Sequence, residues 1–423
     1  MIDAALDPWL RQSADRYGTP CFVYFTAPIE ARIAALDHAF GGRFDLSFAV
    51  KANPNPAMLA WLAPRIPLLD ISSIGEMRLA LRSGWDAARL SFTGPAKRDA
   101  ELAEAIAAGI GELVVESPRE AVAANAIARS MGRRQAVLIR INPDAVPRGF
   151  GDQMAGSPSP FGIDVEQTAE ALPLILALPH LRVRGFHIYS GTQCLRADAV
   201  VENYRTFIAL FRHLAEAHGL APDKLVFGSG LGIPYHEGDT PIDLDAVVAG
   251  ITPALDALRA NPRFARTRLA LELGRYLVGE AGYFVTRVVS IKESRGSRIA
   301  LCDGGMNNHL PASGLFGMVI RRAYKMHKVG GEGPTEKVDV TGPLCTSIDR
   351  LAGGIDLPNL EPGDLIAVHN SGAYGLTASP MHFISHQPPV EVMVDAVAIR
   401  AIPRDWAAHC QPLPARLVDH DAA

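Results

Sequence analysis

The sequence predicts an α/β chain: a (β/α)8 barrel of the TIM type, followed by a β-rich domain, barrel- or sandwich-like, that an N-terminal strand completes. Three observations predict it. Between about residues 45 and 280, short apolar, β-branched runs alternate with alanine- and leucine-rich stretches of helical spacing, divided by Gly, Pro or Asn. From about residue 281 that alternation gives way to strand-like runs broken by turns. The polar residues that stand out in apolar surroundings fall at the C-terminal ends of the barrel runs, the face on which barrel enzymes build their sites.

Eight runs supply the barrel strands: LSFAVKAN from Leu46, PLLDISS from Pro67, LSFTG from Leu90, ELVVES from Glu112, AVLIRINP from Ala136, VRGFHIYSG from Val183, KLVFGSGLG from Lys224 and LALELGRYLVG from Leu269. Segments between them, such as AELAEAIAAG from Ala100 and PREAVAANAIARSMG from Pro118, repeat apolar residues three and four apart and end near Gly, as helices packed on a sheet do. The connection after the fifth strand, residues 143–162, is rich in Pro and Gly and reads as a functional or mobile loop. The runs FVTRVVSIKES, SRIALCDGG, EKVDVTGPLC, DLIAVHNSGAY and PVEVMVDAVAIR build the second domain, with CFVYF near the N-terminus adding a strand. The barrel is thus expected over residues 27–280 and the β-rich domain over 1–26 and 281–423, with 329–337 (VGGEGPTEK) a flexible surface loop.

With 423 residues, two domains are the expectation. A hydrophobic content of 48% with 20% charged residues excludes a disordered or fibrous chain, and a net charge of −4 offers no basic field for nucleic acid or anionic lipid. No apolar run approaches the ~18 residues of a membrane span. Five cysteines without a CxxC pair, including Cys194 and Cys410, make neither a disulfide framework nor a metal site, and the N-terminus lacks the pattern of a secretory signal; a cytoplasmic setting is expected.

Lys51 ends the first barrel strand, where lost hydration favours the neutral, nucleophilic amine; taken alone, such a lysine reads as a surface or salt-bridge residue, and its neighbours change that reading. The glycines of GSGLG, Gly228, Gly230 and Gly232, follow strand seven, where barrels often bind phosphate, though a plain turn has the same composition. Arg275, after strand eight, offers a guanidinium to the same anion. Glu272 sits deep in the mouth, where a carboxylate needs a partner: the nitrogen of a pyridine ring, or Arg275 or Arg140 in a structural ion pair. His187 and Ser190 end strand six with an imidazole that can lie against a flat ring and a hydroxyl for phosphate; a buried structural histidine is the plainer reading.

These stretches together resemble the fold-type III pyridoxal 5′-phosphate (PLP) decarboxylases, the ornithine and diaminopimelate decarboxylase family, over essentially the whole chain. The resemblance rests on FAVKAN (48–53), LDISSIGE (69–76), FTGPAK (92–97), RINPD (140–144), FHIYSGTQ (186–193), GSGLGIPY (228–235), ELGRYLV (272–278), CDGGMNN (302–308), GPLCTSID (342–349) and SGAYG (371–375). It implies a PLP enzyme with Lys51 as the Schiff-base lysine, His187 stacked on the ring, Glu272 at the pyridine nitrogen, and Ser190, Gly230, Gly274 and Arg275 near the phosphate. Asp70, Glu76 and Arg140 are implied as supporting groups and Tyr374 as a cofactor contact. It also implies a homodimer with shared active sites, in which Cys345 is a candidate proton donor; by residue chemistry alone Cys345 reads as a small buried hydrophobe.

Leu273 replaces the proline of the family's EPGR pattern. Thr346 follows Cys345 where diamine-forming relatives carry Asp or Glu, and residues 304–326 lack the Arg-Pro pattern of diaminopimelate decarboxylases. GPLCTSID and NHLPASGLFG are more similar to a natural-product branch acting on amino acids tethered to carrier proteins or held in conjugates. Thr346, Asp349, Arg321 and Arg322 become substrate candidates, and Arg321, Arg322, Lys325 and Lys328 either meet an acidic carrier helix or form a solvated basic face. Diaminopimelate or ornithine decarboxylation, amino-acid racemisation and non-catalytic PLP binding stand as the alternatives.

Overall fold

The computed structural model describes residues 4–315, 322–395 and 398–402. They form two compact units, one comprising Ala35–Gly232 and Pro241–Gly274, the other the described residues before Ala35, Ile233–Thr240 and the described residues from Arg275 to Ile402. Arg321 and Cys410 lie outside the described residues.

The second unit is built on a nine-stranded mixed sheet. Its N-terminal strand β1 (Cys21–Phe25) is buried at every position. The remaining strands come from beyond the barrel: β10 (Gly282–Ser294), β11 (Ser297–Cys302), β12 (Met326–Lys328), β13 (Thr335–Thr341), β14 (Arg350–Pro358), β15 (Leu365–Val368), β16 (Val390–Val394) and β17 (Ile399–Ile402). β1 lies between antiparallel β10 and parallel β16, so the N-terminus closes a sheet otherwise made by the far end of the sequence. The amphipathic helix Asp7–Tyr17 lays Leu10 and Ala14 against Cys21, Val23, Val285, Leu365 and Val392.

The first unit is the barrel. Strands β2 (Asp45–Ala49), β3 (Leu68–Ile71), β4 (Leu90–Phe92), β5 (Glu112–Val115), β6 (Gln135–Asn142), β7 (Leu181–Ile188), β8 (Lys224–Gly228) and β9 (Arg268–Leu273) pair in parallel, and β9 returns to β2 to close the ring. All eight expected strands are present. Outward residues meet the helices: Phe227 of β8 packs edge-on against Phe211 of the helix Ala197–Ala217, ring centroids 5.2 Å apart.

Strand period 2 sorts the inward residues into layers. At the bottom, Glu112 and Lys224 open β5 and β8. Two residues on, Val114, Leu138, Val226 and Ala270 form a buried apolar plug, with Leu68 packed against it. Two further on, Glu116, Arg140 and Glu272, with Asp70 following Leu68, make a polar top layer over that plug. The plug seals the barrel, so every charged group above it answers to ligand or to its neighbours.

Candidate active site

Local sequence sets each group at the mouth. After β2 the chain makes one 3-10 turn over Val50–Ala52, which carries Lys51, and Asn55 then caps the next helix by accepting the N–H groups of Ala57 and Met58. The helix after β3 is capped reciprocally: Ser73 Oγ accepts the Glu76 N–H at 3.1 Å and Glu76 Oε2 accepts that of Ser72 at 2.6 Å. The same box follows β5, where Ser117 accepts from Glu120 N and Glu120 Oε2 from Glu116 N at 3.1 Å.

Around the ring, Arg140 and His187 are register partners on β6 and β7, and Glu272 is flanked in register by Gly228 on β8 and Ser47 on β2. His187 Nε2 lies 2.8 Å from Glu272 Oε2, both side chains buried. Burial opposes charge on Glu272, but the His187 hydrogen bond, helped by Lys51 and Arg140, outweighs it and holds the carboxyl down at about 2. The ionised carboxylate thus accepts from the imidazole N–H. His187 Nδ1 is buried with no hydrogen-bond partner among the described residues.

Asp70 goes the other way. Burial first, then the neighbouring Glu272 charge, push it well above the usual carboxylate range against the pull of Lys51 and of Thr93, whose Oγ1 donates at 2.9 Å. Burial likewise lifts Glu76 to about 7, against the Ser72 N–H and the Lys51 charge. The mouth therefore places an ionised carboxylate and proton-holding acids around one lysine. Lys51 Nζ lies 5.5 Å from the centroid of the Tyr189 ring.

The glycine loop has a reason of its own. A Cβ on Gly228 would strike the Tyr189 ring at 2.3 Å, one on Gly230 the Phe150 ring at 2.5 Å, and one on Gly232 the backbone of Gln193 at 2.9 Å. The connection 143–162 is tied down beside this loop: Asp152–Gln153 pairs with Gly191–Thr192, and Met154 N donates to Ser190 O at 2.8 Å. Ser190 Oγ donates to Asn203 Oδ1 at 2.8 Å, leaving Asn203 Nδ2 buried and without a partner among the described residues.

The Arg140 ion pair open to Glu272 from sequence does not form among the described residues. Arg140 Nη1 instead pairs with Glu116 at 3.1 Å, and Glu272 takes His187. Glu116, Lys97 and Glu120, all buried, were not singled out from the sequence; the signal for Glu116 is its place as a charge closing the run ELVV, and for Glu120 the Ser-x-x-Glu spacing shared with Ser73 and Glu76.

The β-rich unit holds the other candidates. Arg275 opens a one-turn helix, its guanidinium carbon 5.1 Å from the Tyr374 ring centroid and 5.7 Å from that of Tyr235. Tyr374 has a left-handed backbone, φ 57°. Cys345 is exposed, contrary to the small buried hydrophobe its residue type suggests, and Thr346 is half-buried. Asp349 turns inward: its oxygens accept the N–H groups of Met306 at 2.7 Å and Leu344 at 2.8 Å, and a Cβ on Gly305 or Gly342 would strike them. Arg322 pairs with Asp239 at 2.9 Å and Lys328 with Asp364 at 2.7 Å, so two of the four expected basic groups already have carboxylate partners.

A barrel whose top layer offers a lysine, a buried ionised carboxylate hydrogen-bonded to an imidazole, and orphaned polar atoms on His187 and Asn203 defines a cofactor-using barrel enzyme. The donors suit a protonatable aromatic ring with an anionic arm. Residues 26–279 match the family model for the pyridoxal binding domain of pyridoxal-dependent decarboxylases. Among curated proteins, the L-glutamyl-[BtrI acyl-carrier protein] decarboxylase of Niallia circulans is 34% identical over 387 residues, covering 89% of each chain. The diaminopimelate decarboxylase of Zymomonas mobilis is 32% identical over 396 residues, 91% of this chain and 90% of that one. A solved structure of the Helicobacter pylori diaminopimelate decarboxylase, complexed with L-lysine, superposes with a TM-score of 0.81 at 28% identity, covering 93% of this chain and 95% of that one. The chain belongs to the pyridoxal-dependent decarboxylases, fold-type III enzymes that use PLP.

Proposed function

We propose that this decarboxylase removes the α-carboxylate of an amino-acid unit whose far end is joined to a carrier protein or a conjugate, releasing CO2 and leaving the amine. The observation that carries the tethered reading is the position beside Cys345. Thr346 brings no charge where a free diamine-type substrate needs a carboxylate, and the oxygens of nearby Asp349 are engaged by backbone N–H groups. A substrate whose distal end is a neutral linkage needs no such charge. Similarity to a decarboxylase of a carrier-bound glutamyl group supports the same reading.

Bound PLP supplies the electron sink for the pair left as CO2 departs. Lys51 is the residue that would hold the cofactor. Glu272, already ionised, would keep the proton on the ring nitrogen, and His187 would lie against the ring. Ser190, Gly230 and Gly274 would take the phosphate, with Arg275 continuing directly from Gly274 and Tyr374 a further cofactor contact. Asp70, Glu76 and Arg140 would set the charge around Lys51. One proton from solvent replaces the carboxylate at Cα, and exposed Cys345 is the proposed acid, acting across a homodimer in its partner's site. Free thiols and a cytoplasmic setting are consistent with that role.

The test is mass spectrometry of the purified, PLP-loaded protein with free and carrier-tethered amino acids. CO2 loss from a tethered or conjugated acid alone is expected, and Lys51→Ala abolishes it. Loss from free diaminopimelate or ornithine at comparable rates overturns the tethered substrate; turnover retained by Lys51→Ala overturns the site.

A further inference from the structure

The wiring beneath Arg140 has no place in the roles above. Glu116 Oε1 accepts the Gly94 N–H at 2.7 Å and Oε2 that of Gly162 at 2.9 Å, while Arg140 Nη1 bonds both oxygens at 3.2 and 3.1 Å. One carboxylate thereby joins the turn after β4, the inner face of β6 and the closing end of the connection 143–162. Both amides come from glycines with positive φ, 125° at Gly94 and 70° at Gly162. At Gly162 a Cβ would crowd Arg140 Cγ at 3.1 Å. Arg140 is further held by the Phe161 ring, its guanidinium carbon 4.6 Å from the centroid.

The arrangement is balanced. Lys97 Nζ reaches Glu120 Oε1 at 2.7 Å and the carbonyls of Gly94 at 2.6 Å and Val114 at 2.9 Å, and Glu120 accepts the backbone N–H of Glu116. Two buried carboxylates and two buried cations thus cancel without drawing on Glu272. Arg140 and His187 are register partners, and His187 holds Glu272; a guanidinium there is the natural competitor for the Glu272 carboxylate. Among the described residues the ion pair of Arg140 is with Glu116 and none joins it to Glu272.

We propose that Glu116 is a positioning residue that sequesters the Arg140 guanidinium, so that the Glu272 carboxylate, bonded to His187 through Oε2, is not also tied to Arg140 and can accept from the ring nitrogen of the cofactor. This rests on the reading of Glu272 given above. A direct Arg140–Glu272 bidentate pair would satisfy both charges and leave the pyridine nitrogen without its acceptor. Glu116 prevents that pairing and leaves Arg140 acting on Glu272 through its field alone.

Glu116→Gln keeps the size and an acceptor oxygen but releases the cation. PLP affinity, read by absorbance titration of the apoprotein, is expected to fall about ten- to a hundredfold, the scale on which metal sites lose affinity when a partner behind a ligand is removed. kcat is expected to fall with KM little changed. In an Arg140→Met background the competitor is gone, so adding Glu116→Gln is expected to change PLP affinity by less than about threefold from that of Arg140→Met itself; a merely structural Glu116 predicts the same loss in both backgrounds. Should Glu116→Gln fail to fold, Glu116→Leu/Arg140→Met replaces the buried pair by apolar groups, an exchange such pairs tolerate, and is expected to bind PLP within about threefold of Arg140→Met alone. Parent-like PLP affinity in Glu116→Gln, a loss of the same size when it is added to Arg140→Met, or a folded apolar double variant that binds PLP far more weakly than Arg140→Met overturns the proposal. Glu272→Gln separates the two readings: parent-like PLP affinity and spectrum there would remove the role of Glu272, whatever Glu116 does.

Discussion

Both ends of the barrel bury ion pairs, and they are wired differently. At the bottom, Lys224 Nζ meets Glu112 Oε1 and Arg184 Nη1 lies 3.4 Å from Glu112 Oε2, so one carboxylate ties β5, β7 and β8 together. At the top, above the plug of Val114, Leu138, Val226 and Ala270, the groups are uneven. Glu116 is bound by three donors, Asp70 is driven toward its protonated form, and His187 Nδ1 and Asn203 Nδ2 lack partners among the described residues. Arg184 Nε at the bottom also lacks a hydrogen bond, but it has the Asp223 carboxylate at 3.7 Å. Identical residue types in one barrel thus close the fold at one end and hold capacity for a ligand at the other.

If that division is right, mutations at the two ends fail in different assays. The largest effect is expected from Glu112→Ala, which leaves Lys224 buried without its carboxylate and costs about 3–5 kcal/mol of barrel stability in denaturant unfolding. Turnover per folded molecule and PLP affinity are expected to stay at the parent's level. Glu272→Gln is the mirror case: kcat falls by about 10²–10³, the scale of removing one preorganised electrostatic group, a loss of catalysis per folded molecule that Glu112→Ala does not share. A catalytic loss in Glu112→Ala with intact folding would break the comparison.

The pH dependence of apoprotein stability sharpens it. Glu76 is raised from 4.5 to about 7, so its contribution is full below pH 4.5 and is lost as pH rises to about 7. Glu272 is lowered from 4.5 to about 2, so its contribution is present above pH 4.5 and lost as pH falls toward 2. Between pH 4.5 and 7 the parent is expected to lose stability with rising pH relative to Glu76→Gln, measured by unfolding at a series of pH values. A difference that is flat across that window removes the burial effect assigned to Glu76.

Much of the fold is legible in residue patterns because each barrel strand is a short apolar run bounded by turn residues; β2 starts at Asp45 against an expected Leu46, and β8 at Lys224 as expected. The strand-end polar residues are legible for the same reason, since a charge that ends an apolar run must face the mouth. What the sequence hides is pairing. Glu112 and Lys224 begin their strands and look like ordinary turn charges, and only closure of the barrel brings them together. Arg140 reads as a partner for Glu272, and only the register of β6 and the return of Gly162 give it to Glu116. The glycines of GSGLG read as a phosphate cradle, yet Tyr189, Phe150 and the backbone at Gln193 already require them.

The smallest effect tests whether burial, rather than charge count, gives the bottom network its weight. Arg182 lies 3.3 Å from Asp223 at the same end of the barrel, but both side chains are 53% exposed, against 7% and 3% for Lys224 and Glu112. Water screens the outer pair and already solvates each partner, so removing one leaves nothing stranded. Arg182→Ala is expected to cost at most about 1 kcal/mol, and less as salt is raised. Glu112→Ala is expected to keep nearly its full cost in salt, because ions do not reach the buried Lys224 side chain. Equal costs for the two variants would mean that the pairs hold the barrel through ordinary surface attraction, and the contrast between its ends would then reside in the upper layer alone.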